Sequence, residues 1–315
     1  MMLMAGDYDE ARVCFLVPDF LTQHHGELPV VPLVIRPRDG LSPIVDITGI
    51  TPDRLASLDR DAVARLTVEA EGRAVSLGDL FTFQGSAADQ RIECVGDFSR
   101  VDGVAAGMIS GCMHVRGSVG RHAGYRMGGG ELVVDGHAGD WLAAGMTGGV
   151  VRVEGNAGDD IAAALPGLPN GMTGGLVIVN GHAGTRVAAR MRRGIVAIGG
   201  DCGPAAGFEL RAGTLLVAGH LGIHPGLGMR RGSIVAAGPS PLPGPSFVRG
   251  ATWMPPFLPL LGRRLAAGGF RPGQRPLSTP EGAHPVDAWP AGAWTQWHGD
   301  GVAGARGEMF TRQAG

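Results

Sequence analysis

The chain reads as mainly β: a right-handed parallel β-helix of 19-residue coils, with a small α+β cap at its N-terminal end and an extended C-terminal tail. Three observations carry that reading. Glycines keep a beat of 19, at Gly117, Gly136 and Gly155 and then, after one jump of 26, at Gly181, Gly200, Gly219 and Gly238. A second series, Gly111, Gly130, Gly149, Gly175, Gly194, Gly213 and Gly232, repeats the spacing and the jump. Before each first-series glycine stand four residues of strand character, apolar at the first and third positions: "MHVR", "LVVD", "VRVE", "VIVN", "VAIG", "LLVA" and "IVAA".

One strand and two glycine corners in 19 residues leave no room for a crossover helix, yet exceed what a simple hairpin ladder needs. Units this short cannot bury their apolar faces alone and must stack. A parallel β-helix meets both conditions, with coils about 4.8 Å apart and about seven of them making a rod roughly 35 Å long. Right-handed is the preferred sense of parallel crossovers. A left-handed helix of hexapeptides is the alternative solenoid, but 19 is not a multiple of six. Gly117, Gly136, Gly155, Gly181, Gly200 and Gly219 are therefore structural, required by positive φ or by close approach of neighbouring coils. The jump places one inserted loop at "LPGLPNG", Leu165 to Gly171.

Residues 30–91 read as the cap. "PLVIRPR" is a strand, "TPDRLASLD" a short helix with Thr51 as cap and Pro52 at its first position, and "RAVSLGDLFTFQG" a strand with a turn. The coils follow over 92–238, after an irregular extension over 1–29. Residues 239–315, opening with "PSPLPGPS" and containing Trp289, Trp294 and Trp297, have no core-forming period and read as a proline- and glycine-rich tail. Within it "FLPLLGRRLA", 257–266, is a docking segment. The outward strand positions His114 and Arg152 are polar, whereas Ile178, Ala197, Leu216 and Val235 are apolar, so this segment or another protein covers the later half of that face.

With 55 Gly and 22 Pro the chain is turn-rich, yet 44% hydrophobic residues is too many for a disordered polymer. A net charge of -2 gives no general field for nucleic acid or an anionic membrane. No lysine occurs, which we read as GC-rich coding, so a choice of Arg over Lys carries no chemical meaning here. Cys14, Cys94, Cys112 and Cys202 lack metal-site spacing, and "ARVCFLVPDFL" is too short and interrupted to span a bilayer. These features point to a cytoplasmic protein with free thiols.

Stacking turns the period into columns. Met108, Met127, Met146, Met172, Met191, Leu210 and Met229 form an apolar filler. Ser118, His137, Asn156, His182, Asp201 and His220 form a polar column that we read as solvent-facing turns, with no metal assigned. A third column turns basic: Arg192, Arg193, Arg211, Arg230 and Arg231, with Arg186 and Arg190 nearby, are the candidate binders of an anionic carrier or partner. No catalytic residues are assigned. Asp159 and Asp160 lack the neighbouring carboxylates of a polysaccharide-cleaving site, His24 and His25 stand apart from any nucleophile motif, and "AAGMTGG" is not a phosphate loop.

The strings "GMTGG", "VVRVEGNAGD", "GMTGGLVIVNGHAG" and "MRRGIVAIGGDCG", with "TPDRLASLD", "LGDLF" and "FLPLLGRRL", resemble the C-type subunit of formylmethanofuran dehydrogenase and, more closely, the C-type subunit of the bacterial formyltransferase/hydrolase complex, over about residues 30–270. The glycine coils are also similar to a domain of glutamate synthase. The resemblance implies a scaffold without catalytic residues. Its partners would be an amidohydrolase-like A-type subunit, a B-type subunit and a formyltransferase, the D-type subunit. The complex would move formyl from tetrahydromethanopterin to a methanofuran-type carrier and release formate. The carrier's polyglutamate chain would be an anion for the arginine column, with no cofactor bound covalently. Dehydrogenase chemistry, a glutamate-synthase-like accessory role and a free-standing carbohydrate-active enzyme are the alternatives. The GC-rich composition favours an aerobic one-carbon-metabolising bacterium and formate release.

Overall fold

The computed structural model describes residues 31–38, 44–272 and 292–312. The expected extension over 1–29, Cys14, His24, His25 and Trp289 lie outside them. The described chain is mainly β, dominated by a 13-stranded sheet.

The cap supplies β1 (Leu33–Pro37), β2 (Val45–Asp46), α1 (Pro52–Leu55), α2 (Arg60–Ala64), β3 (Thr67–Ala70), β4 (Arg73–Ser76), α3 (Leu77–Leu80) and β5 (Phe81–Gln84). Pro52 opens α1 as expected, but the Thr51 side chain makes no capping bond. Asp59 caps α2, accepting from the Ala62 N–H at 2.7 Å. The stretch read as one strand with a turn is two strands around the helical turn α3, whose Leu77 is buried. The cap then joins the repeats directly. β1 lies parallel to β6 (Arg91–Val95), Leu33 opposite Ile92, and β2 lies parallel to β7 (Val101–Asp102) in a second, four-stranded sheet.

From β6 onward, parallel strands follow at the glycine beat: β8 (Cys112–Arg116), β9 (Glu131–Val134), β10 (Val150–Val153), β11 (Leu176–Val179), β12 (Ile195–Ile198), β13 (Thr214–Val217) and β14 (Arg231–Ala236). Register follows the repeat without slip: Leu132 faces Val151, which faces Val177 across the insert, which faces Val196. A second parallel column of single bridges joins Phe98, Val119, Ala138, Ala157, Ala183, Cys202 and Leu221. The first and third strand positions and the methionine column are fully buried, forming the core between these sides.

A third side joins the repeats through residues in the left-handed region, many of them not glycine: His122 and Arg126, Trp141 and Ala143, Arg186, Ala188 and Arg190. Alternation of left- and right-handed residues points successive N–H groups to opposite neighbours. His122 donates to Asp140 in the next repeat, Gly124 to Val104 in the previous one, and Arg126 to Ala144 in the next. The hydrogen-bond yield of this side offsets the cost of left-handed non-glycine backbone, about 1–2 kcal/mol per residue.

The two glycine series divide the reasons anticipated for them. At Gly136 the obstacle is approach: a Cβ would sit 2.7 Å from the carbonyl of Gly117 one repeat earlier. At Gly149 φ is +88°, and a Cβ would also meet the Met127 methyl at 2.7 Å.

The tail departs from the extended segment expected. It contains β15 (Val248–Trp253), α4 (Phe257–Ala267), β16 (Trp294–Gly299) and β17 (Arg306–Arg312). β17 adds to β14 in parallel, Gly307 opposite Gly232 and Met309 opposite Ile234, and then pairs antiparallel with β16. Trp294 is buried rather than part of a free aromatic tail. The segment read as a partner-docking element packs on its own chain: Leu258, Leu261 and Leu265 of α4 are buried with Ile178, Ala197, Leu216 and Val235, the apolar outward face predicted to need a cover. Asn180 clips the end of this cover, accepting from the Arg271 N–H at 2.9 Å. The earlier half of the face is instead polar and paired, through His114 with Asp135 at 2.9 Å and Arg152 with Glu154 at 3.0 Å.

Candidate anion-binding corner

The corner before each second-series glycine brings most of the predicted arginines together. Arg192, Arg211 and Arg230 occupy equivalent positions in consecutive repeats, their N–H groups donating to the carbonyls of Met172, Met191 and Leu210 at 2.9, 2.9 and 2.7 Å. Arg193 and Arg231 stand beside the first and last of them. Arg306 completes the set, opposite Arg231 in the β14–β17 pairing. Its signal in the sequence is "RGEMF", which repeats the arginine, glycine and apolar pattern of "RGSIV" outside the regular beat.

Arg192, Arg193, Arg230, Arg231 and Arg306 are exposed, and none pairs with a carboxylate among the described residues. Arg211 is half-buried and donates through Nη1 to Asn170 Oδ1 at 3.1 Å. Asn170 belongs to the insert, so the extra loop reaches the corner. Stacked cations repel, by roughly 1 kcal/mol for two charges about 4–5 Å apart in water, and bound anions relieve that repulsion.

Arg186 and Arg190 do not belong to this set. Arg186 forks onto buried Asp160, with Nε 2.8 Å from Oδ1 and Nη2 bonded to Oδ2. The hydrogen bond to Asp160 raises the Arg186 pKa above its ordinary value, against burial that would lower it. Arg190 is tied to Glu209 at 2.8 Å. Both lie on the left-handed side, with φ of 55° and 56°, and their charge is answered within the chain.

No protein-family profile and no curated protein matches the chain. Among solved structures, it matches a chain of the formyltransferase/hydrolase complex (FhcABCD) from Methylorubrum extorquens, determined in complex with methylofuran. The two are 32% identical with a TM-score of 0.79, over 89% of this chain and 100% of that one. The chain belongs to the family of that complex member.

The remaining candidates of this formyltransferase/hydrolase family chain have structural partners. In the polar column five of the six side chains accept from the next repeat's backbone: Ser118 from His137 at 3.0 Å, His137 from Asn156 at 2.9 Å, Asn156 from His182 at 2.9 Å, His182 from Asp201 at 2.9 Å, and Asp201 from His220 at 2.7 Å. This ladder accounts for the column as a stitch between corners. No group of three His, Cys, Asp or Glu among the described residues is placed to hold a metal ion. Asp140 and Asp159 form a second ladder, accepting from the N–H groups of Asp159 and Thr185 at 2.8 and 2.6 Å. Sequence reasoning missed this ladder because the acceptor's partner is backbone and leaves no side-chain signature.

The buried thiols are poor nucleophiles. Burial, reinforced by Glu93, pushes the Cys94 thiol well above its ordinary range, and burial beside Asp201 pushes Cys202 up to about 12. No helix among the described residues is long and apolar enough to cross a membrane.

Proposed function

We propose that the chain is the C-type subunit of a formyltransferase/hydrolase complex, a scaffold whose stacked repeats wind as a right-handed parallel β-helix. The observation that carries the reading is the match over the whole of a solved chain of that complex at 32% identity. The winding is supported by the parallel sheet, the bridge column and the left-handed side, all repeating at one period.

A scaffold role without catalytic residues is supported by the use made of the reactive side chains. The carboxylates and imidazoles of the polar ladders accept backbone hydrogen bonds, and the buried thiols are held protonated. In this reading the chemistry lies in cytoplasmic partners: an amidohydrolase-like A-type subunit, a B-type subunit and a formyltransferase, the D-type subunit. Together they would pass formyl from tetrahydromethanopterin to a methanofuran-type carrier and release formate. A polyglutamate-bearing carrier fits the arginine corner, whose exposed guanidiniums have no carboxylate partner among the described residues. Arg192, Arg193, Arg230 and Arg231 would hold such a chain by charge-assisted hydrogen bonds.

The test is gentle purification of the tagged chain from its native host, with the co-purifying chains identified by mass spectrometry. Amidohydrolase-like and formyltransferase chains in fixed ratio are the expected result. An amidotransferase or flavoprotein partner, or recovery of this chain alone, overturns the assignment.

A further inference from the structure

Eight of the eleven exposed large apolar side chains among the described residues lie beyond residue 220, and of these Ile223 and Leu227 belong to the last repeat and Val302 to the turn that follows β16. The far end of the stack is closed on its sheet and bridge sides and in part on the third, where buried Phe247 lies against Gly226 and Met229 accepts from the Asp300 N–H at 3.3 Å. β17 covers the sheet side, and Pro239 accepts from the Leu221 N–H at 2.9 Å on the bridge side. On the left-handed side the interior repeats close on one another: Ala205 donates to Ile223 at 2.9 Å, and Glu209 to Leu227 at 2.8 Å.

In the last repeat the corresponding donors are His224 and Gly228. Gly228 is answered by Asp300 Oδ2 at 3.0 Å, a carboxylate standing where the next repeat's carbonyl would be. His224 donates to no backbone carbonyl among the described residues. Around this open rim stand Ile223, 56% exposed, Leu227, 48%, and Val302, 91%. Asp300 ties Val302 to the rim through its other oxygen, at 3.0 Å, and a groove lined by Glu209, Gly228, Arg230, Val302 and Ala303 runs beside them.

The charge at this rim is one-sided. Glu209 is held by Arg190, and Asp300 faces backbone N–H groups, which leaves Arg230, with Arg231 and Arg306 beside it, as the unanswered charges. Two copies meeting rim to rim would set these arginines against their own counterparts. We propose that the open rim of the last repeat docks a different polypeptide, one presenting an apolar ridge bordered by carboxylates, which completes the stack as a further repeat would. The proposal rests on the assembly reading above. Arg230 and Arg231, given above to the carrier's chain, lie where this rim meets that corner, and Arg192 and Arg193 stand two repeats away.

The test uses the full chain, affinity-tagged in its native host, with the photo-crosslinker p-benzoylphenylalanine at Ile223 or Leu227 and, as control, at Ile109, which is exposed at the opposite end. The expected result is a crosslink from both rim positions into an acidic segment of one co-purifying chain, about tenfold above the Ile109 control. Leu227→Glu should cut recovery of that chain by about tenfold and Leu227→Met should restore it, with the thermal midpoint of the isolated chain unchanged. Crosslinks to a second copy of this chain, or crosslinking at the control level while other chains still co-purify, overturn the proposal and leave the assembly reading standing. If nothing co-purifies, both fall.

Discussion

Asp300 does at one residue what a whole repeat does elsewhere. Burial would raise its pKa, but hydrogen bonds from the Gly228 N–H, the Ser246 hydroxyl and the Val302 N–H outweigh that effect and hold it below its ordinary 3.8. A depressed folded pKa means that its stabilisation is fully present above the unfolded value and is lost as pH falls through the folded one. Asp300→Asn should therefore destabilise the chain by about 2–3 kcal/mol at neutral pH. Denaturant titrations should show the gap to wild type closing below about pH 4. A gap that is independent of pH would mean that the carboxylate charge plays no part. The glycines make a second residue-scale case. Gly107 has φ of +75° and nothing within 4 Å of an added Cβ, so Gly107→Ala should cost only the left-handed backbone strain, about 1 kcal/mol. Gly136→Ala drives a methyl onto the Gly117 carbonyl and should cost about 3 kcal/mol, read from the shift in urea midpoint.

At the scale of elements, α4 decides whether the later repeats present an apolar face to water. Leu265 is fully buried under it while Leu260 points out at 60% exposure, so Leu265→Ala should cost about 3 kcal/mol and Leu260→Ala less than about 0.5. Thermal or denaturant unfolding of the two variants checks the orientation of the helix. The need for this cover was legible in Ile178, Ala197, Leu216 and Val235, because apolar residues where a strand should face water require an answer. The inward strand positions and both glycine series were legible because a fixed period repeats each requirement at a fixed place. β17 was not, because β15, α4 and β16 separate it from β14 and "RGEMF" falls outside the beat. The left-handed side was hidden for another reason. His122, Trp141 and Arg186 carry no local mark of positive φ; their conformation is imposed by hydrogen bonds to repeats above and below. The candidate site was half legible: the column placed Arg192, Arg211 and Arg230 correctly, but sequence distance could not show that Asp160 and Glu209 already answer Arg186 and Arg190.

For the whole molecule, the corner at Arg192, Arg193, Arg230 and Arg231 has a distinct signature under either reading, because like charges held in register cost folding free energy unless an anion offsets them. Replacing all four with Gln should leave the fold intact and raise the thermal midpoint of the isolated chain slightly at low salt, an effect that fades as ionic strength screens the repulsion. If the corner holds the polyglutamate chain of a carrier, the same variant, purified as its complex, should lose most of the carrier measured by mass spectrometry of the denatured sample. The wild type should then shed the carrier as salt rises, since each contact is an exposed charge pair. Unchanged carrier retention beside an altered salt dependence of stability would make the corner a solvated edge and move the carrier's anchorage to another chain of the complex. Loss of carrier with all partner chains still recovered would separate holding the carrier from holding the complex, two roles that one stack of repeats can perform at different levels along its length.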